Sequence, residues 1–148
     1  MAGPNPYGAL YASEPKGPGD ARPTALRVLE DNNALGAWQG RVVLVTGGTS
    51  GIGTTTAQAL HATGADVYFT ARDMTKGEQT AETIRKQSPG KGKIEPILMN
   101  MESLESVKQA ARSLLSLTGN KLNVLINNAG KCQVPMQLLR QQTATDQR

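Results

Sequence analysis

Two short stretches of the chain carry residue types that chemistry can use. The first is Thr46-Gly-Gly-Thr-Ser-Gly-Ile-Gly53, with four glycines in eight residues, and the second is Asn127-Asn-Ala-Gly130. Glycines let a backbone turn tightly and approach a ligand closely. When such a loop opens a helix, the unpaired amides and positive dipole end of that helix attract a pyrophosphate. The plainer reading of the run is a tight turn set by backbone geometry alone. A third feature is Arg72, beside Asp73. An arginine at the end of a second strand can grip a 2′-phosphate with charge-assisted bonds, whereas an acid there would repel it; the alternative is a solvated surface arginine.

Other chemistries are poorly supplied. The single Cys132 excludes an internal disulfide, and with the single His61 it cannot make a Cys/His metal cluster or a histidine-based triad. His61 falls on a helix far from any acidic partner and is expected at the surface or at a helix end. Cys132 has no base nearby to make it a nucleophile. Met74, Met99, Met101 and Met136 show no helical stripe and read as packing.

These motifs need elements to hold them. Val42 to Val45 is an unbroken aliphatic run, the pattern of a strand buried on both faces. From there the chain alternates: helix over 52–63, strand over 66–70, helix over 75–87, strand over 94–99, helix over 103–117 and strand over 122–126. In the last helix Leu104, Val107, Ala111, Leu114 and Leu115 make one apolar stripe, with Glu105, Lys108 and Arg112 facing away. Alternation of this kind predicts parallel βαβ units with right-handed crossovers, an α/β doubly wound Rossmann-like sheet. Before it, Thr24 is placed to cap a short helix over 25–30. Residues 1–21, with Pro4, Pro6, Pro15 and Pro18 among glycines, read as a flexible leader.

Composition narrows the class. The chain has 148 residues, 16 basic and 12 acidic, for a net charge of +4. The excess is scattered and not interleaved with aromatics, which argues against nucleic acid as a partner. No apolar run approaches the roughly 20 residues of a membrane span, and the N-terminus lacks the pattern of a secretory signal. A soluble, cytoplasmic protein is expected.

T-G-x-x-x-G-x-G between a buried strand and a helix, together with N-N-A-G at the end of strand four, resembles the short-chain dehydrogenase/reductase family over about residues 24–130. The stretch Tyr68-Phe-Thr-Ala-Arg-Asp73 and the run Leu104 to Ala111 further resemble the subgroup of retinol dehydrogenases and tailoring reductases of fungal secondary metabolism. The resemblance implies strand order 3-2-1-4 and an oxidoreductase acting on a small-molecule carbonyl or alcohol. It implies that Gly47, Thr49, Ser50, Gly51, Ile52 and Gly53 hold the pyrophosphate and that Asn128, Ala129 and Gly130 border the nicotinamide-side ribose, with Arg72 favouring NADP(H). Where the family carries an acid that accepts from the adenine amine, followed by an aliphatic residue, this chain has Asn100-Met101. An asparagine keeps a carbonyl acceptor without the charge.

The same resemblance places the catalytic asparagine, serine and Tyr-x-x-x-Lys pair beyond the N-N-A-G strand. The 18 residues after Gly130 contain no tyrosine. The expected organisation is therefore a leader (1–21), a partial NADP-binding domain (22–130) truncated after strand four, and an unrelated tail (131–148), with no catalytic residue present and no turnover alone. Lys131 stands where an aliphatic residue usually follows the glycine. Gly130-Lys-Cys132 can be written GGT AAG TGT, which contains an intron-start consensus. An unspliced transcript and a truncated gene are the two readings of that break. The expected consequence is an open strand-four edge, with weak stability or self-association through it. A non-catalytic dinucleotide-binding or interaction protein and a nonfunctional fragment are the rival functions.

Overall fold

The computed structural model describes residues 6–12, 14–17 and 19–130, so the tail assigned to residues 131–148, with Cys132 and Met136, lies outside the described residues. Four strands form one parallel sheet: β1 (Val42–Val45), β2 (Asp66–Ala71), β3 (Ile94–Leu98) and β4 (Val124–Ile126), in the order β3-β2-β1-β4. The register pairs Val43 with Val67 on one side and with Val124 on the other. Helices α1 (Ala25–Asp31), α2 (Gly51–Ala62), α3 (Met74–Gln87) and α4 (Leu104–Thr118) complete it. This is the doubly wound α/β arrangement that the alternation predicted, with boundaries shifted by one or two residues.

Helices α1, α3 and α4 start where the sequence provides a side-chain cap. Thr24, Asp73 and Ser103 accept from the backbone N–H groups of Arg27, Lys76 and Ser106, satisfying donors that the first turn leaves unpaired. Gly119 ends α4 in the left-handed region, the usual glycine stop. Ahead of α1, Gly8–Tyr11 forms a 3-10 turn, and the Tyr7 hydroxyl donates to the Asp31 carboxylate.

The two faces of the sheet differ. Val43, Val45, Val67 and Phe69 point to the α2/α3 side and are fully buried with Ala57, Ala81 and Ile84. On the other side Val42, Tyr68, Ile97 and Met99 pack against α4. Only one helix covers that side among the described residues, so Leu44 is half-buried. The expected α4 stripe is corrected accordingly. Ala110 and Leu114 are the buried residues and Val107 packs beside them, whereas Leu104, Ala111 and Leu115 are exposed. Positions 107, 110 and 114 lie on the line facing the sheet, and the remaining apolar positions turn away from it. Tyr68 belongs to this layer, where burial and the nearby Glu95 and Asp66 carboxylates push its phenol above the usual tyrosine range. It is a core residue kept protonated, not a proton-transfer group.

His61 lies in the last turn of α2, the helix-end place that was one of its two expected positions, but it is buried and not at the surface. Its Nδ1 lies 2.8 Å from Ser88 Oγ and its Nε2 2.8 Å from the Gly92 carbonyl. A carbonyl only accepts, so Nε2 carries a proton and donates to Gly92. The ring thus clips the loop between α3 and β3 onto the end of α2, a contact between distant residues that sequence spacing does not reveal.

Candidate functional site

A cavity of about 440 Å³ opens beyond the C-terminal ends of the strands. In an open parallel sheet this is where ligands bind, because loops and helix N-termini converge there. The glycine loop supplies one wall. Gly47 takes a φ of +70°, and a Cβ added to it would press on Ala129 at 3.0 Å. At Gly53 a Cβ would stand 2.1 Å from the Gly47 carbonyl and 2.6 Å from the Asn128 amide nitrogen. Only glycine therefore lets α2 start this close to the loop. Ser50 is the N-cap of α2, yet its hydroxyl makes no capping bond. That hydroxyl and the first-turn amides remain available to an anion.

The loop is held from beneath. The buried Thr46 Oγ1 accepts from the N–H groups of Asn128 and Ala129, both at 3.0 Å. Asn128 Nδ2 donates to the carbonyls of Thr46 at 2.9 Å and Gly47 at 3.2 Å. From the other side Gly47 N–H donates to Thr70 Oγ1 at 2.8 Å, and Gly48 N–H donates to the Thr70 carbonyl. The end of β4 and the end of β2 thus fasten the β1 loop between them.

Of the residues singled out from sequence, Gly47, Thr49, Ser50, Ile52, Gly53, Arg72, Asn100, Met101, Asn128, Ala129 and Gly130 all border this cavity. Gly51 does not; it opens α2 with a φ of +54°. The Asn128 amide nitrogen is bonded to loop carbonyls, so it positions the wall. Arg72 is exposed and makes no ion pair among the described residues. Its neighbour Asp73 is turned away as the cap of α3. Thr70, Met99 and Glu102 also line the cavity, and sequence reasoning did not place these three there; Thr46, known from sequence only as the first residue of the glycine motif, braces it. Thr70 and Met99 had one usable signal, their places at strand C-terminal ends, whereas Glu102 had none.

Comparison with known proteins places the chain among relatives. Residues 41–147 match the family described as short chain dehydrogenase. The chain is 46% identical over 131 residues to the oxidoreductase calI of Penicillium decumbens, covering 88% of this chain and 38% of that protein. It is 46% identical over 117 residues to the short-chain dehydrogenase/reductase prx1 of Penicillium rubens, covering 79% of this chain and 33% of the relative. The chain therefore spans between a third and two fifths of the length of these two curated relatives. Among solved structures it is similar to a metagenomic short-chain oxidoreductase in complex with NADP, at 32% identity and a TM-score of 0.58 over 64% of this chain and 41% of that one. It is also similar to an RhlG/NADP active-site complex from Pseudomonas aeruginosa, at 35% identity and a TM-score of 0.56 over 63% of this chain and 36% of that one.

Proposed function

The chain belongs to the short-chain dehydrogenase family, and from that premise we propose that residues 22–130 form the NADP(H)-binding part of an oxidoreductase acting on a carbonyl or alcohol. The observation that carries this reading is the cavity at the strand ends, with a glycine loop and an uncapped helix N-terminus on one wall and the unpaired Arg72 on another. The residues fit the group. The loop amides and Ser50 hydroxyl would hold the pyrophosphate, Arg72 would grip the 2′-phosphate, and Asn128 would keep the loop in shape from below. When bound, the nicotinamide supplies the hydride. Likeness to solved structures determined with NADP supports the choice of cofactor. A role in fungal secondary metabolism rests on the resemblance of Tyr68–Asp73 and Leu104–Ala111 to that subgroup, alongside two Penicillium relatives.

Turnover is not expected from these 148 residues alone, because the serine and Tyr-x-x-x-Lys pair of the family do not occur after Gly130. The test is titration with NADPH and NADH, followed by cofactor fluorescence, in parallel with a carbonyl-reduction assay. Binding that favours NADPH by about tenfold without turnover supports the proposal; equal affinity for NADH removes Arg72 from its role. A second reading, a dinucleotide-binding protein that pairs with another chain through β4, is favoured by Leu125. That side chain is 51% exposed on the strand that lies at the sheet edge among the described residues.

A further inference from the structure

A strand presents successive side chains to opposite faces of its sheet. At the end of β2, Ala71 turns toward α3, where a Cβ added to Gly77 would stand 3.1 Å from its methyl group. Thr70 and Arg72 flank it, and both line the cavity at the strand ends. Arg72 is exposed, whereas Thr70 keeps only 4% of its surface in contact with solvent. The cavity wall beside the arginine therefore contains a buried hydroxyl.

A hydroxyl has one proton to give and two lone pairs, and a buried proton left without an acceptor costs free energy. Thr46 shows the satisfied case: its Oγ1 accepts from the Asn128 and Ala129 N–H groups and donates to the Ile126 carbonyl. Thr70 is only half satisfied. Its Oγ1 accepts from the Gly47 N–H at 2.8 Å, but its proton has no acceptor among the described residues. Neither Glu102 and Asn100 in the strand-end cavity nor Asn127 in the apolar groove on the other side of Thr70 takes it. Gly47 borders the strand-end cavity and not that groove, so the Thr70 oxygen lies on the cavity's side.

We infer that Thr70 is a second binding group for the 2′-phosphate, its oxygen accepting from the glycine loop while its proton is donated to a phosphate oxygen beside Arg72. The inference rests on the NADP(H) reading above and deepens it: the preference for the phosphorylated cofactor is shared between an exposed arginine and a buried threonine. A phosphate oxygen is a charged acceptor, and a hydrogen bond to it is about twice as strong as one to a neutral group. A ribose hydroxyl in its place is a neutral acceptor with a proton of its own to satisfy. Thr70 thus discriminates by charge through a group that carries none, and it ties the phosphate site directly to the loop.

The experiment measures dissociation constants of NADPH and NADH for the 148-residue chain, Thr70→Val and Thr70→Ser, with circular dichroism melts alongside. In Thr70→Val the Gly47 N–H loses its acceptor, so the melting temperature falls and both cofactors bind more weakly. The deciding quantity is the ratio of the two constants, which a role confined to the loop would leave unchanged. The preference for NADPH is expected to fall by about threefold or more in the valine variant and to hold in the serine variant, which keeps both oxygen and proton. Thr70→Ala, with room for a water at the Gly47 N–H, takes the place of the valine variant if that chain does not fold, and the same fall is expected. A preference unchanged without the hydroxyl, or lost in Thr70→Ser, overturns the inference and leaves the NADP(H) reading standing. A wild-type chain that binds neither cofactor, or both equally, overturns the two together.

Discussion

The two walls of the cavity are built on different principles. The wall made by the ends of β1 and β4 is fastened internally: Thr46, Asn128 and the loop carbonyls satisfy one another, and Gly53 packs against them with no room for another atom. The wall made by the ends of β2 and β3 presents Arg72, Asn100 and Met101 outward, and the first has no ion-pair partner among the described residues. A phosphate-binding loop gains from being preformed, since amides already aimed at the anion lose little freedom on binding. A wall that chooses between related cofactors gains from free polar groups, which stay solvated until the right ligand pairs with them. Substitutions on the first wall should therefore move folding and binding together, and those on the second should move binding alone.

The largest effect is expected at Gly53. Replacing it with valine forces atoms into the Gly47 carbonyl and the Asn128 amide, which should destabilise the chain by about 3 kcal/mol and abolish cofactor binding. A thermal melt beside a cofactor titration reads both. An unchanged melt would mean that the loop yields, and the contrast between the walls would dissolve. Thr46→Val comes next. It leaves the Asn128 and Ala129 N–H groups without their acceptor, for a loss of about 2 kcal/mol and a parallel loss of affinity. Denaturant unfolding should show the midpoint moving with little change in slope. Arg72→Ala is the mildest for the fold: the melting temperature should stay put while NADPH affinity falls by about tenfold and NADH affinity hardly changes. A drop in stability at Arg72 would show that this wall, too, is structurally committed.

Much of the fold was legible because its signals are local and repeated. Val42–Val45 could be read as a strand from four consecutive aliphatic residues, and the cap at Thr24 from a single side chain next to apolar periodicity. Alternation of strands and helices then leaves few topologies, and the observed β3-β2-β1-β4 order is one of them. The α4 stripe was misjudged for a physical reason. Apolar spacing says which residues could face a core, but the number of elements covering that face decides which are buried, and here Leu104 stays 73% exposed. His61 escaped notice because its partners, Ser88 and Gly92, lie 27 and 31 residues away.

The candidate site divides the same way. From sequence alone came its motifs and their order along the chain: a glycine loop after a buried strand, an arginine after the second, an asparagine after the third and N-N-A-G after the fourth. The glycine loop follows from backbone rules that act within a few residues, whereas the roles given to Asn100 and N-N-A-G came from the family resemblance. Only the tertiary structure decided what each polar group is free to do. Asp73 is committed to capping α3, Asn128 is bonded to loop carbonyls, Asn100 has its oxygen engaged, and Arg72 is left without an ion-pair partner. Hydrogen-bond capacity is finite, and which groups consume it depends on the neighbours that folding brings within 3 Å, some of them more than 80 residues away in the chain.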